Sequence, residues 1–487
     1  MIRATWLTLS LMVTMGGCSQ PAPEQGIIVD AVAALGGDRI ARATSFSLQA
    51  EGTHFNLGQD VTPGAASQTF SVTRYARVLD WSTGQSRMRV EQTRTPNFAY
   101  FQGNAPQTQT FGLDGDVAYT LLANGNAVRA SETVAGERRA ETYHHPVAVL
   151  RAALQPGARL SNVRTEGSER LVDMTTTDNV ALTLAIDATS SQPTRVTLRS
   201  YQANLGDIVI SSRFFEYQDV DGLKLPSRLT TSLDDFMTAD LRVKTQVLDA
   251  AVGDLAAPAS ITAAPAGPGP SAPIVVTEEV APGVWLLAGQ SHHSAVVELS
   301  DHLLLIEAPQ SEVRTLAVIA AARALRPDKP LTELIVSHHH FDHSAGLRAA
   351  VSEGLAVIAH AGNAGFIEEM VKRPHTIVAD ALAKKPATLT LQTVDDARTI
   401  SDRAMSIVLY PISGNPHSHT MLMAYLPKQR LLVQADAFSP GSDIQPYAAN
   451  LVENIKKRNL QVDRIVPLHG TIVPYTELLK VVSAGSS

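Results

Sequence analysis

The sequence predicts two domains of different class: a mainly antiparallel β domain, then an α/β domain whose strands deliver a loop-borne site. Three observations lead there. The 487 residues exceed what one hydrophobic core holds. A segment of Ala, Pro, Gly and Ser, LAAPASITAAPAGPGPSAP (255–273), divides the chain and is too poor in apolar bulk to build a core. Before it, larger apolar residues recur at every second position; after it, strand-like and helix-like runs alternate. The expected boundaries are a leader at 1–18, a β-rich domain at 19–254, a semi-extended linker at 255–273 and a second domain at 274–487.

The leader reads MIRATWLTLSLMVTMGGC. Arg3 supplies a positive start, Trp6 to Met15 an apolar stretch too short to span a bilayer, and Gly16-Gly17 a small-residue cleavage site. The stretch resembles the lipobox of bacterial lipoproteins, in which the cysteine after the cut, here Cys18, is lipidated. That resemblance implies a protein held at a membrane surface of the bacterial cell envelope, facing the periplasm, with secretion as the other outcome. Cys18 is the only cysteine, so no intrachain disulfide is possible.

In the first domain a short helix is expected over Ile27 to Arg42. Val180 to Ile186 and Asp207 to Tyr217 read as strands. Asp219 to Gly222 follows as a turn, because Asp-Gly suits positive φ. Leu223 to Pro226 resumes the strand, with the proline marking an edge or an end. An amphipathic helix is expected near Pro146 to Leu154, and His144 and His145 before it read as surface or capping residues. The phrase FFEYQDVDGLKLPSRL resembles the half-barrel β-domains of outer-membrane lipoproteins and lipoprotein carriers.

In the second domain strands are expected at Val296 to Leu299, His302 to Glu307, Leu331 to Ser337, Ser406 to Tyr410, Met421 to Leu426 and Arg430 to Gln434. Helices are expected at Glu312 to Leu325 and Ser344 to Glu353. The alternation indicates an α/β domain.

Bulk properties narrow the function. A net charge of −7 and a pI near 6.1 carry no signature of a polyanion binder, so nucleic acid is not an expected partner. The informative stretch is SHHHFDH at 337 to 343, at a strand end. On extended chain, residues two apart point the same way, so His338 and His340 can face one ion while His339 points elsewhere. Asp342 and His343 follow in the turn, where they can reach a second ion. Imidazole and carboxylate are suitable Zn²⁺ ligands.

The stretch from Ser337 to Gly346 closely resembles the H-x-H-x-D-H motif of the metallo-β-lactamase-fold hydrolases. Three further pieces arrive in that family's order: ISGNPH (412–417), LLVQAD (431–436) and IVPLHG (465–470), and VAPGVW (280–285) resembles its opening strand. The resemblance implies a C-terminal αββα sandwich. It implies one metal on His338, His340 and His417, and a second on Asp342, His343 and His469, with Asp436 bridging. His419 rivals His417, which is preferred because the family's histidine directly follows a Gly-x-Pro-like turn. Glu307 stands where the family has an aspartate at the end of an early strand. His292 and His293, in the loop after the opening strand, could touch substrate or lie exposed.

By this resemblance the expected cofactors are two divalent ions, Zn²⁺. Two ions, two aspartates and one hydroxide would leave about +1, an electrophilic centre. The hydroxide would attack a small ester, lactone, thioester or amide, with Asp342 orienting it and handling a proton. A phosphodiesterase of the same fold is one alternative. Another is an envelope lipoprotein that binds a lipophilic ligand or partner and carries a non-catalytic metal domain. Asp436, with no C-terminal cysteine, argues against the β-lactamases that use a cysteine ligand.

Overall fold

The structure is a computed structural model that describes residues 23–100, 103–267 and 272–484. The expected leader and its Cys18 lie outside the described residues.

Residues before 250 build one thirteen-stranded antiparallel sheet. The domain's first strand, Ser45–Phe55, lies beside its last, Phe236–Leu248, with Phe46 opposite Leu248. From the first strand five more extend outward in sequence order, and from the last, six. Helices Pro23–Leu35 and Pro146–Ala153 bury Ile28, Leu35, Val147 and Leu150 in the same core as Phe46, Leu48 and Leu184. Each such aliphatic side chain contributes roughly 1.5–3 kcal/mol on burial.

Several expectations need correction. The helix expected over Ile27 to Arg42 is two, Pro23–Leu35 and Asp38–Arg42, because Gly36 and Gly37 take positive φ. A Cβ at Gly36 would stand 2.4 Å from Leu223 Cδ2, so the break also lets the chain pass close to the sheet. Pro226 ends no strand: Leu223–Leu233 runs through it. Its pairing with Phe236–Leu248 begins only at Arg228, so the missing N–H is not needed on that side. His145 is a cap, as its Nδ1 accepts from Val147 N, but it is fully buried rather than on the surface.

The Ala/Pro-rich segment is not a free linker where it is described. Leu255 is fully buried, and a short helix, Ala259–Ala263, sets Ile261 beside Tyr119. Ala257 N donates to Asp114 Oδ2, and Gly267 N to Ala130 O. Two aliphatic side chains suffice to lay the segment over the outer strands Val117–Leu121 and Ala127–Arg129, which covers an otherwise open sheet edge.

The C-terminal residues form a seven-stranded and a six-stranded sheet packed face to face. Alternation does the sorting in Leu303–Ile306: Leu304 and Ile306 enter the core between the sheets, while Leu303 and Leu305 meet helices Glu312–Leu325 and Leu347–Ser352. On the other outer face Leu451, Ile455 and Leu478, from helices Ala448–Lys457 and Tyr475–Ala484, cover Leu432 and Met423. The order is helix, sheet, sheet, helix. VAPGVW is not one strand but the turn of a hairpin, Val276–Ala281 with Val284–Ala288. The strands Leu303–Ile306, Leu331–Ile335 and Ala356–His360 run parallel, as do Leu431–Gln434 and Arg464–Pro467. Their carboxyl ends point to one rim. Among the described residues no helix is long and apolar enough to cross a membrane.

Candidate metal centre

That rim gathers the histidines. His338 and His340 leave the strand Leu331–Ile335, and Asp342 and His343 sit on the one-turn helix Phe341–Ser344. His417 lies in the loop before Leu422–Leu426, Asp436 just after Leu431–Gln434, and His469 just after Arg464–Pro467. Ligands at the ends of several strands are held by the sheets' own hydrogen bonding, which fixes their spacing.

Two donor sets result. In the first, one atom each from His338, His340, His417 and Asp436 lie within 4.8 Å of one another; in the second, the same holds for His292, Asp342, His343 and His469. Asp436 stands between them. Its Oδ2 is 2.8 Å from His417 Nε2, 3.2 Å from His343 Nε2 and 3.6 Å from His338 Nε2, and its Oδ1 is 2.9 Å from His469 Nε2. All seven positions named from the sequence thus come together. His419 does not: it is exposed, and its backbone N–H donates to Val61 O. His339 also faces away, with Nδ1 3.3 Å from Thr420 Oγ1.

The donors fit metal ions on their own chemistry. Among the described residues His338 Nε2 and His340 Nδ1 are buried with no hydrogen-bond partner, which a buried polar atom tolerates poorly unless a ligand meets it. Burial drives both imidazoles well below their ordinary pKa, aided by neighbouring imidazoles, so each keeps a lone pair for coordination. At His343 burial also lowers the pKa, but Asp436, Asp342 and Glu307 outweigh it and raise the ring well above 6.5. At Asp436 burial raises the carboxyl, yet His343, His469 and His417 hold it well below the carboxylate range. Without a cation, protons on His343 balance the carboxylates.

The outer nitrogens are tied. Glu307, fully buried, has Oε2 2.5 Å from Ser337 Oγ and 3.0 Å from His343 Nδ1. Ser337 Oγ is in turn 3.0 Å from His338 Nδ1. Glu307 therefore orients both rings, and the exchange of aspartate for glutamate leaves that support in place. Both buried carboxylates that follow strands, Glu307 (φ 80°) and Asp436 (φ 60°), take left-handed backbone, a strain of about 1–3 kcal/mol each that is common at functional sites.

The β domain also contributes to the centre. The loop after Ser45–Phe55 lies against the metal motif. His340 Nε2 donates to Asp60 O at 2.9 Å, Phe341 N to Gly58 O at 3.1 Å, and Gln59 Nε2 to Asp342 Oδ1 at 2.8 Å. From another loop, Asn204 Nδ2 donates to Ser344 Oγ and Phe341 O. Tyr447, whose ring lies 5.1 Å from that of His417, donates through its hydroxyl to Ala99 O. No local spacing announces such contacts. The exposed alternative for His292 and His293 does not hold: His292 is buried, His293 is half-buried, and both rings have partners. His293 Nε2 is 3.1 Å from Gly470 O, and His292 Nε2 is 3.2 Å from Asp342 Oδ2. The adjacent pair of histidines just ahead of a strand was the available signal.

A family model described as Metallo-beta-lactamase superfamily matches residues 288–479. A comparison with curated protein sequences found no match. Among solved structures, the chain is similar to a metallo-beta-lactamase from Pontibacter korlensis at 15% identity, covering 43% of this chain and 98% of that one, with a TM-score of 0.33. It is similar to the metallo-beta-lactamase FIM-1 from Pseudomonas aeruginosa at 17% identity, covering 44% and 95%, with a TM-score of 0.35. A stereoselective inverting sec-alkylsulfatase from Pseudomonas sp. is similar at 20% identity, covering 43% and 40%, with a TM-score of 0.33. With the family match lying over the sandwich and its two donor sets, residues 288–479 are a domain of the metallo-beta-lactamase superfamily.

Proposed function

We propose that the protein is a metal-dependent hydrolase of a small ester, lactone, thioester or amide, using two divalent cations, Zn²⁺. One observation carries this reading: two donor sets of imidazole and carboxylate meet at Asp436, with His338 Nε2 and His340 Nδ1 buried and without a hydrogen-bond partner among the described residues. His338, His340 and His417 would hold one cation, Asp342, His343 and His469 the other, with Asp436 shared. When bound, such a pair supplies Lewis acidity that activates water near neutral pH and polarises a carbonyl oxygen. A set of nitrogen and oxygen donors without thiolate suits Zn²⁺.

The chain's own residues do the rest. Asp342 is held ionised: burial raises its carboxyl, but His343 and His292 outweigh this. Gln59 occupies its Oδ1 and His292 its Oδ2, so the carboxylate is fixed where it can orient water and accept a proton. Glu307 keeps His338 and His343 in the tautomers whose inner nitrogens face the centre. We further place the protein at the cell envelope through lipid on Cys18, supported by Arg3, the apolar run to Met15 and the glycines before the cysteine. Loss of fatty-acid labelling in Cys18→Ser tests that part.

Full-length protein loaded with Zn²⁺ and offered esters, lactones, thioesters, amides and phosphodiesters tests the activity. Turnover of an acyl substrate, abolished in Asp342→Ala while the fold stays native, supports it. Turnover of phosphodiesters alone replaces it with the phosphodiesterase reading. A second reading, binding of a lipophilic ligand, is favoured by a cavity of about 360 Å³ between the domains, lined by Leu57, Pro63, Phe236, Phe341, Phe366 and Met370. It lies behind the metal motif, at His339, so ligand binding and hydrolysis would be separable by Phe366→Trp.

A further inference from the structure

Each imidazole of the centre for which both contacts are defined is held by one nitrogen and turns the other inward. His343 is tied through Nδ1 to Glu307, His338 through Nδ1 to Ser337, His469 through Nδ1 to Ser291 O, and His340 through Nε2 to Asp60 O. Such outer contacts select the tautomer of a ligand. His292 has the same arrangement although it lies outside the seven positions. Its Nδ1 is 2.9 Å from Ser291 Oγ, and that oxygen also receives the Gln310 side-chain amide at 2.8 Å. A serine oxygen has two lone pairs, so it can accept from both. When Ser291 Oγ accepts from both, His292 carries its proton on Nδ1 and Nε2 presents a lone pair to a cation.

That lone pair faces the second donor set. Nε2 is 3.2 Å from Asp342 Oδ2, and the ring stands 4.0 Å from His469 and 5.1 Å from His343, centroid to centroid. The residue is 9% exposed. Two acceptors this close need a proton or a cation between them. With a cation bound, Nε2 coordinates it and the ring's proton sits on Nδ1, facing Ser291 Oγ; without one, Nε2 donates to Asp342.

We propose that His292 is a further ligand of the second cation, whose donors become His292, Asp342, His343 and His469 with Asp436. This rests on the reading of the site as a two-metal centre. A neutral donor leaves the charge of the centre unchanged and adds to the retention of the ion. It also ties the loop before strand Ser294–Glu298 to both sheets, since His293 N donates to Leu468 O in the same stretch.

The full chain loaded with Co²⁺ tests this by metal content and electronic absorption. Wild type should hold two ions, and His292→Ala should hold the second at least about tenfold more weakly. His292→Gln keeps an amide N–H for Asp342 but is a poor ligand, and should behave like His292→Ala. His292→Cys should show a thiolate-to-cobalt charge-transfer band absent from wild type, whose sole cysteine is Cys18. Wild-type metal content and spectrum in His292→Gln, together with no such band in His292→Cys, would overturn the proposal while leaving the two-metal centre standing. A wild type that takes up no Co²⁺ would overturn both.

Discussion

Gln59 and Asp342 are joined by a 2.8 Å hydrogen bond between side chains 283 residues apart, and through it the β domain holds a residue of the metal centre. The amide can only donate at Nε2, so the bond favours the ionised carboxylate and fixes its rotamer. Gln59→Ala should lower retention of the second cation and kcat together by about 10- to 100-fold, as loss of an outer-shell partner does elsewhere. Gln59→Glu should be worse, because it sets two carboxylates face to face. Metal titration and steady-state rates read both; a Gln59→Glu variant equal to wild type would remove the β domain from the site.

Gly58 lies under Phe341, between Asp342 and the metal ligand His340 in sequence. Its φ is +79°, and an added Cβ would stand 2.3 Å from the Phe341 ring. Gly58→Ala should therefore push the loop off the metal motif and cost about 1–3 kcal/mol. Limited proteolysis should find the 56–64 loop newly open, and the first metal should bind more weakly because His340 Nε2 loses Asp60 O.

The raised pKa of His343 makes metal uptake pH-dependent. The ring is protonated near neutral pH in the empty centre and must lose that proton to coordinate. Cation binding should release protons, and affinity should rise with pH. Calorimetry in buffers of different ionisation enthalpy measures the count. Glu307→Gln removes one of the carboxylates that sustain the raised value, so fewer protons should be released there.

His145 gives the β domain an acid sensitivity of its own. Burial, with Arg77 nearby, lowers its pKa from 6.5 to about 3, although Gln246 partly opposes this. The unfolded chain binds a proton near 6.5 and the folded one only near 3. Stability is therefore whole above about 6.5 and falls with pH below it, by at most about 1.4 kcal/mol per pH unit from this residue. Urea unfolding from pH 7 to pH 4 should show that slope, and His145→Gln should reduce it, with His144, also lowered to about 3 by burial, keeping its own share.

The metal motif was legible because its chemistry imposes spacing. Two histidines at i and i+2 after a strand, then Asp342 and His343 in the turn, leave a short local signature, and the family order supplied His417, Asp436 and His469. Strand Leu303–Ile306 was legible too, although its apolar run hid which residue faced which layer. Gln59, Asp60 and Asn204 were not legible, since each acts through tertiary contact across more than a hundred residues. Leu255 and Ile261 were hidden by the composition around them. Two apolar residues in a Pro-rich tract look like linker until the sheet edge they cover is known.

The pairing of Phe46 with Leu248 has a consequence for biosynthesis. Neighbours in the folded sheet, they leave the ribosome about 200 residues apart, an interval of about 10–40 seconds at usual elongation rates. Throughout it the strand Ser45–Phe55 has one flank without a mate, and closing so long a loop is slow. The nascent β domain is thus most open to wrong partners before residue 248 emerges, and the metal-binding half must wait for the same event before Asp60 can reach His340.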